Sequence, residues 1–157
     1  RDDLTAPPLQ LAPRHRWISA GEATADLQVL TDEEILDTAP APNDLKCWSH
    51  VKPGGSYKDY LKASEGRDAC FGHIRTNRDT PSSTLVANER LLTHWNQCRS
   101  LTFREWKRLG SFPDDYHAKT DKIGKYMIGM SVPPKMTEQV ARAVCAQWLN
   151  VVFQDDA

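Results

Sequence analysis

Apolar residues recur at helical spacing in several stretches, and three of those stretches open on a recognisable helix start. Ser19-Ala20-Gly21-Glu22, Thr31-Asp32-Glu33-Glu34 and Thr102-Phe103-Arg104-Glu105 each place a hydroxyl three residues before a carboxylate. In that arrangement the two side chains satisfy backbone N–H groups reciprocally. Leu30 with Ile35, and Leu101 with Trp106, are spaced as hydrophobic staples across the second and third starts. The third helix is predicted to stop at Gly110, which tolerates the positive φ of a helix C-terminus, and to bury Phe103, Trp106 and Leu109. Pro133-Pro134 introduces the longest predicted helix, roughly 137–152. Val140, Val144, Trp148 and Val151 share one of its faces, and Gln139, Arg142, Gln147 and Asn150 take the others.

The rest of the chain is more broken. Residues 1–16 are Pro-rich and read as an extended lead-in. Residues 38–56 contain Pro40, Pro42 and the run Pro53-Gly54-Gly55, and are expected to be mostly loop and turn. Residues 57–63 fit a short helix or a strand. Phe71–Ile74 and Ser83–Ala87 favour β structure and are separated by a polar stretch. The predicted class is α+β: short strands, loops and short helices, followed by a long C-terminal helix. At 157 residues there is room for one ordinary domain, or for a small domain plus a docking extension. No run of eighteen apolar residues exists, so no membrane span is expected. No charged-then-apolar leader is present, and the initial Arg1 suggests an excised piece.

Charge and cysteine usage add two constraints. Residues 1–45 hold three Lys/Arg against nine Asp/Glu, and residues 46–108 hold twelve against six. A basic middle is the footprint of a phosphate-binding surface. Cys47, Cys70, Cys98 and Cys145 are too irregularly spaced for a secreted disulfide framework, which implies free thiols in a reducing cytoplasm. Cys47 with His50, and Cys70 with His73, repeat a C-x-x-H spacing. That is a conceivable zinc ligand set, but two coincidences among five His and four Cys are the plainer reading, and no metal is expected.

Two segments carry a resemblance. Arg99-Ser100-Leu101-Thr102-Phe103-Arg104-Glu105-Trp106, continued by Arg108-Leu109-Gly110-Ser111-Phe112-Pro113-Asp114-Asp115-Tyr116, resembles the ninth motif of cytosine-5 DNA methyltransferases. Ile128-Gly129-Met130-Ser131-Val132-Pro133-Pro134 resembles the tenth, with Met130 where the family usually has Asn. Trp48 before Pro53-Gly54-Gly55, and Thr80-Pro81-Ser82-Ser83-Thr84-Leu85, resemble parts of the target-recognition region. Arg14 to Leu27 resembles the segment after the eighth motif. The implied organisation is 1–45 as a lead-in after motif eight, 46–116 as the recognition region with motif nine, and 117–157 as motif ten with its helix. None of the four cysteines follows a proline, whereas the family's nucleophile lies in a Pro-Cys context. There is also no Gly-rich cofactor loop and no Glu-Asn-Val segment.

The resemblance implies an enzyme that transfers a methyl group from S-adenosylmethionine to cytosine in duplex DNA. Its thiolate adds to carbon 6 of a flipped-out base. This chain would supply target recognition and no catalytic residue, and would be inactive alone. Its implied partners are double-stranded DNA and an N-terminal catalytic domain, in the same protein or in a partner subunit. The implied place is a bacterial or phage-infected cytoplasm, associated with DNA. Thr84 and Leu85 match the family's Thr-Leu dipeptide and are the first DNA-contact candidates. Arg75 and Arg78 are placed to read guanine, and Lys52 and Lys58 to meet phosphate. Ser131 matches the position that borders the cofactor. Arg99, Arg104 and Glu105 are expected to be structural, and Trp106, Phe112 and Trp148 to be core. The alternatives are a non-catalytic DNA-binding protein and the smaller subunit of a split methyltransferase.

Overall fold

The computed structural model describes residues 7–11, 16–68 and 72–149. Seven α-helices occur there: α1 (Ala20–Ala23), α2 (Asp32–Asp37), α3 (Pro42–Cys47), α4 (Tyr57–Glu65), α5 (Phe103–Leu109), α6 (Asp121–Gly129) and α7 (Pro134–Val144). Two short strands, β1 (Ile74–Arg75) and β2 (Leu92–Thr93), pair in parallel with Ile74 opposite Leu92. Helices with a small sheet agree with the α+β expectation. Phe71, Asn150 and Val151 lie outside the described residues.

The three sequence-predicted helix starts are present. Thr31 and Thr102 form full reciprocal boxes with Glu34 and Glu105. Ser19 caps Glu22 N–H, but the Glu22 carboxylate turns away to Arg16, so that box is half made. Helix α5 ends where expected, but for another reason. Gly110 keeps a right-handed φ of −79°, and the left-handed residue is Ser111 at φ 60°. Gly110 is small because a Cβ there would sit 3.0 Å from Ile128 Cγ2 and 3.1 Å from Trp106 O.

Three expectations fail. Residues 42–47 are helix, because Pro42 occupies the first turn, where a missing N–H is harmless, and the Asp44 carboxylate accepts the Ala41 N–H at 2.8 Å. Ser83–Ala87 forms no strand: 83–86 have no regular structure and Ala87 sits in a bend. Trp148 is only half-buried, and α7 has no buried residue. Helix α7 starts at Pro134 and continues beyond Val144 as a π-helical stretch, Cys145–Leu149. At 57–65 the chain is helical: Ser56 caps α4, and Gly66 closes it at φ 64°, a left-handed conformation that glycine enters without cost.

Two apolar clusters hold the fold. One gathers Leu92, Leu101, Phe103, Trp106 and Ile128, with Ile74, Leu85, Phe112 and Tyr116 against it. The other gathers Cys47, Val51, Tyr57 and Leu61 between α3 and α4. Helix α6 joins the first cluster through Ile128. Its Gly124 faces the Phe103 ring so closely that a Cβ would lie 2.4 Å from it. Long-range ion pairs tie the acidic lead-in to the helices behind it. Glu34 meets Arg104, Asp26 meets Arg108 at 3.0 Å, and Asp37 meets the buried Lys125 at 2.7 Å.

Candidate DNA and cofactor interface

A cleft of about 910 Å³ opens between Arg16–Ala23, Pro81–Leu85, the end of α5 and the start of α7. It brings together three sequence-predicted site residues, Thr84, Leu85 and Ser131. Thr84 is exposed and Leu85 packs against the main core, so the dipeptide offers a hydroxyl outward while its neighbour anchors it. The stretch leading to it is hung on α1: Ala20 N–H donates to Thr80 O and Gly21 N–H to Arg78 O, both at 2.8 Å. Ser131 sits on the turn after α6, and its hydroxyl donates to Ile128 O at 2.8 Å. Ser111 Oγ accepts the Lys135 N–H at 3.2 Å, which fixes the start of α7 against the end of α5. Trp17, 74 % exposed, stands at the opposite wall.

Arg75 has a different task from the one expected. Its guanidinium donates to the carbonyls of Trp95, Trp48 and Val51 at 2.6 to 3.2 Å, and it lies 3.7 Å over the Trp48 ring. Four of its five N–H donors are thereby used inside the fold. Its backbone bonds Gly54 and Gly55, which seats the Lys52–Gly55 turn on β1. Arg78, the other arginine of the pair, is exposed and borders Gly21. Lys52 is exposed on the same turn, while Lys58 pairs with Asp68 at 3.0 Å.

The basic excess over 46–108 is mostly consumed within the molecule. Lys46 and Arg67 pair with Glu65, Arg99 with Glu105, Arg104 with Glu34, and Arg108 with Asp26 and Asp114. Lys107 caps the carbonyls of Asp114 and Tyr116. Among the described residues of 46–108, Lys52, Lys62 and Arg78 keep cationic heads with no hydrogen-bond or ion-pair partner. Arg99, Thr102 and Glu105 bond to one another within the fold. Arg99 holds Glu105 in a bidentate pair at 2.7 and 2.8 Å, and Glu105 also accepts the Thr102 N–H. Beside it, burial pushes the His94 imidazole down to about 4, helped by the Arg99 charge. Its Nδ1 accepts the Asn96 N–H, and its Nε2 is 3.6 Å from Glu105. Burial opposes ionisation of Glu34, but Arg104 and Thr31 outweigh it and hold that carboxyl below its ordinary range.

Cys47, His50 and His73, the described members of the C-x-x-H pairs, are used for packing. His50 stacks on Tyr60 and His73 on Tyr57, and Cys47 is buried between α3 and α4. Cys70 lies outside the described residues, and among those described no group of three or more His, Cys, Asp or Glu could hold a metal. No helix there is long and apolar enough to cross a membrane.

The C-5 cytosine-specific DNA methylase family model matches residues 22–146, most of the chain. The chain belongs to this family. It is 36 % identical over 104 residues to the type II methyltransferase M1.HphI of Haemophilus parahaemolyticus, covering 64 % of this chain and 27 % of that protein. It is 29 % identical over 154 residues to M.BbvI of Brevibacillus brevis, covering 89 % of this chain and 40 % of that one. Against M.AquIB of Picosynechococcus sp. it is 31 % identical over 130 residues, 73 % of this chain and 88 % of the relative. The chain thus spans less than half the length of the first two relatives and nearly all of the third. No solved structure matches it.

Proposed function

We propose that this chain is the target-recognition and motif-ten part of a cytosine-5 DNA methyltransferase, placing duplex DNA and the edge of the cofactor site next to each other. The observation that carries this reading is the single cleft shared by Thr84, Leu85 and Ser131. A base must leave the duplex before its ring carbon can be reached, so the enzyme must grip the distorted strand beside the cofactor. Here the exposed Thr84 hydroxyl is placed to bond a phosphate oxygen, held by Leu85 in the core. Lys52 contributes charge without sequence preference, and Arg78 has the free fork needed to read guanine. Lys58 shares its charge with Asp68 and contributes less.

S-adenosylmethionine supplies the methyl group when bound. The residues present fit a bordering role only. Ser131 has spent its proton on Ile128 O and keeps acceptor capacity alone. Met130, 67 % exposed, offers a thioether where the family usually offers an amide. Most of the cofactor contact therefore belongs to the half that carries the Pro-Cys nucleophile, which none of Cys47, Cys70, Cys98 and Cys145 can be from its sequence context. The test is methyl transfer from labelled S-adenosylmethionine to duplex DNA. The chain alone should transfer none. With the Pro-Cys half it should transfer, and Thr84→Ala should lower the rate more than it lowers nonspecific DNA binding. Transfer by the chain alone would sink the proposal.

A second reading, the smaller subunit of a naturally split enzyme, is favoured by the match to 88 % of M.AquIB, a relative of comparable length. The size of the polypeptide made from the source gene decides between them.

A further inference from the structure

The geometry points to Gly129 as a positioning residue that locks the DNA-facing loop to the cofactor-facing turn, an inference that rests on the proposed roles of Thr84 and Ser131. Gly129 is the last residue of α6, two residues before Ser131. A Cβ there would lie 2.3 Å from Val86 C, 2.4 Å from Val86 O and 2.6 Å from Ala87 N. All three are backbone atoms, so no side-chain rotation relieves the clash. The loop running on from Thr84-Leu85 is therefore pressed main chain to main chain against the end of α6.

That end is rigid. Met130 N–H donates to Tyr126 O at 3.1 Å, Ser131 N–H to Ile128 O at 3.1 Å, and Ile128 is buried in the main core. On another face, α6 closes on Phe103 at Gly124. The helix is thus held by the core, and at Gly129 it dictates where the strand-gripping loop runs. Added bulk must move Val86–Ala87 by about an ångström to reach ordinary contact, and a misplacement of that size away from the chemistry costs on the order of 100-fold in rate. Because both proposed ligands bear on the same contact, what one does to the α6 end is felt by the other.

The test uses the enzyme assembled from this chain and the Pro-Cys half, on a cognate duplex. Gly129→Ala should lower kcat roughly 100-fold. Binding of S-adenosylhomocysteine without DNA should change less than about threefold, a split that plain loss of folding would not give. Gly124→Ala is the comparison: it strains the same helix against the Phe103 ring, away from Val86–Ala87, and should lower the melting temperature with a far smaller loss of kcat in the folded fraction than Gly129→Ala. If Gly129→Ala keeps kcat while Thr84→Ala reduces it, the positioning role is overturned and the reading of Thr84 stands. If neither substitution changes kcat, the recognition reading itself is wrong. Should Gly129→Ala fail to fold, Ala87→Gly leaves the contacting atoms in place and frees the backbone of the loop side. Reduced kcat at an unchanged melting temperature then supports the inference, and unchanged kcat overturns it.

Discussion

At single residues, two arginines three positions apart have opposite consequences. Arg75→Ala strips hydrogen bonds from the carbonyls of Trp95, Trp48 and Val51 and is expected to cost about 2–3 kcal/mol in urea melts. Arg78→Ala, at an exposed position, should change stability by less than about 0.5 kcal/mol. Its cost is expected on the cognate DNA site instead, about 1–3 kcal/mol with relaxed specificity at one base. Equal stability losses for the two would refute this division of labour. His94 sets a pH dependence. It is 2 % exposed, and its pKa lies near 4 in the folded protein against an ordinary 6.5. The unfolded chain therefore takes up the proton first as pH falls. The stability this residue contributes is complete above pH 6.5 and is lost between 6.5 and 4, by roughly 3 kcal/mol. Melts from pH 7 to pH 4 should show that slope, and His94→Gln should flatten it; an unchanged slope in the variant would acquit His94. From sequence, Arg75 and Arg78 were indistinguishable, because nothing local tells an arginine over a tryptophan from one over solvent.

At the level of elements, what was legible had a local cause. The Thr31 and Thr102 boxes form as their spacing implies, and Thr102→Ala should cost about 1 kcal/mol by thermal melting. Helix α3 hid behind Pro42 and an alanine cap, since its N-terminal partner is a carboxylate on the helix itself. Helix α6 has glycines at positions 124 and 129 that weaken its local signal, and both exist for neighbours distant in sequence. Ser83–Ala87 has β-favouring residues without a partner strand, which only tertiary structure reveals. Helix α7 was right in kind and wrong in burial. Trp148→Ala should cost well under the 3–5 kcal/mol of a fully buried tryptophan when the chain is melted alone. The penalty should rise when the Pro-Cys half is present, if α7 docks there. The same small change in both melts would place Trp148 outside that contact.

For the whole molecule, charge segregation along the sequence is largely a folding device. Acidic residues before position 45 neutralise the cations of α5 and α6, so the number of basic residues overstates the number available to DNA. The salt slope of DNA binding by the assembled enzyme should fall by roughly one unit for Lys52→Ala if Lys52 meets a phosphate. The family was legible because the segments that carry the resemblance are contiguous; the cleft was not, because it is assembled from four separate segments. The stretch near each end of the chain also meets the other. Gln147 binds both the N–H and the carbonyl of Gln10, at 2.9 and 2.6 Å, and the Trp148 indole donates to Pro7 O. Pro7 and Gln10 are therefore held beside Gln147 and Trp148. In engineering terms the three bonds are a clasp between stretches 137 residues apart in the sequence, so a change made at Gln147 is also a change made at Gln10.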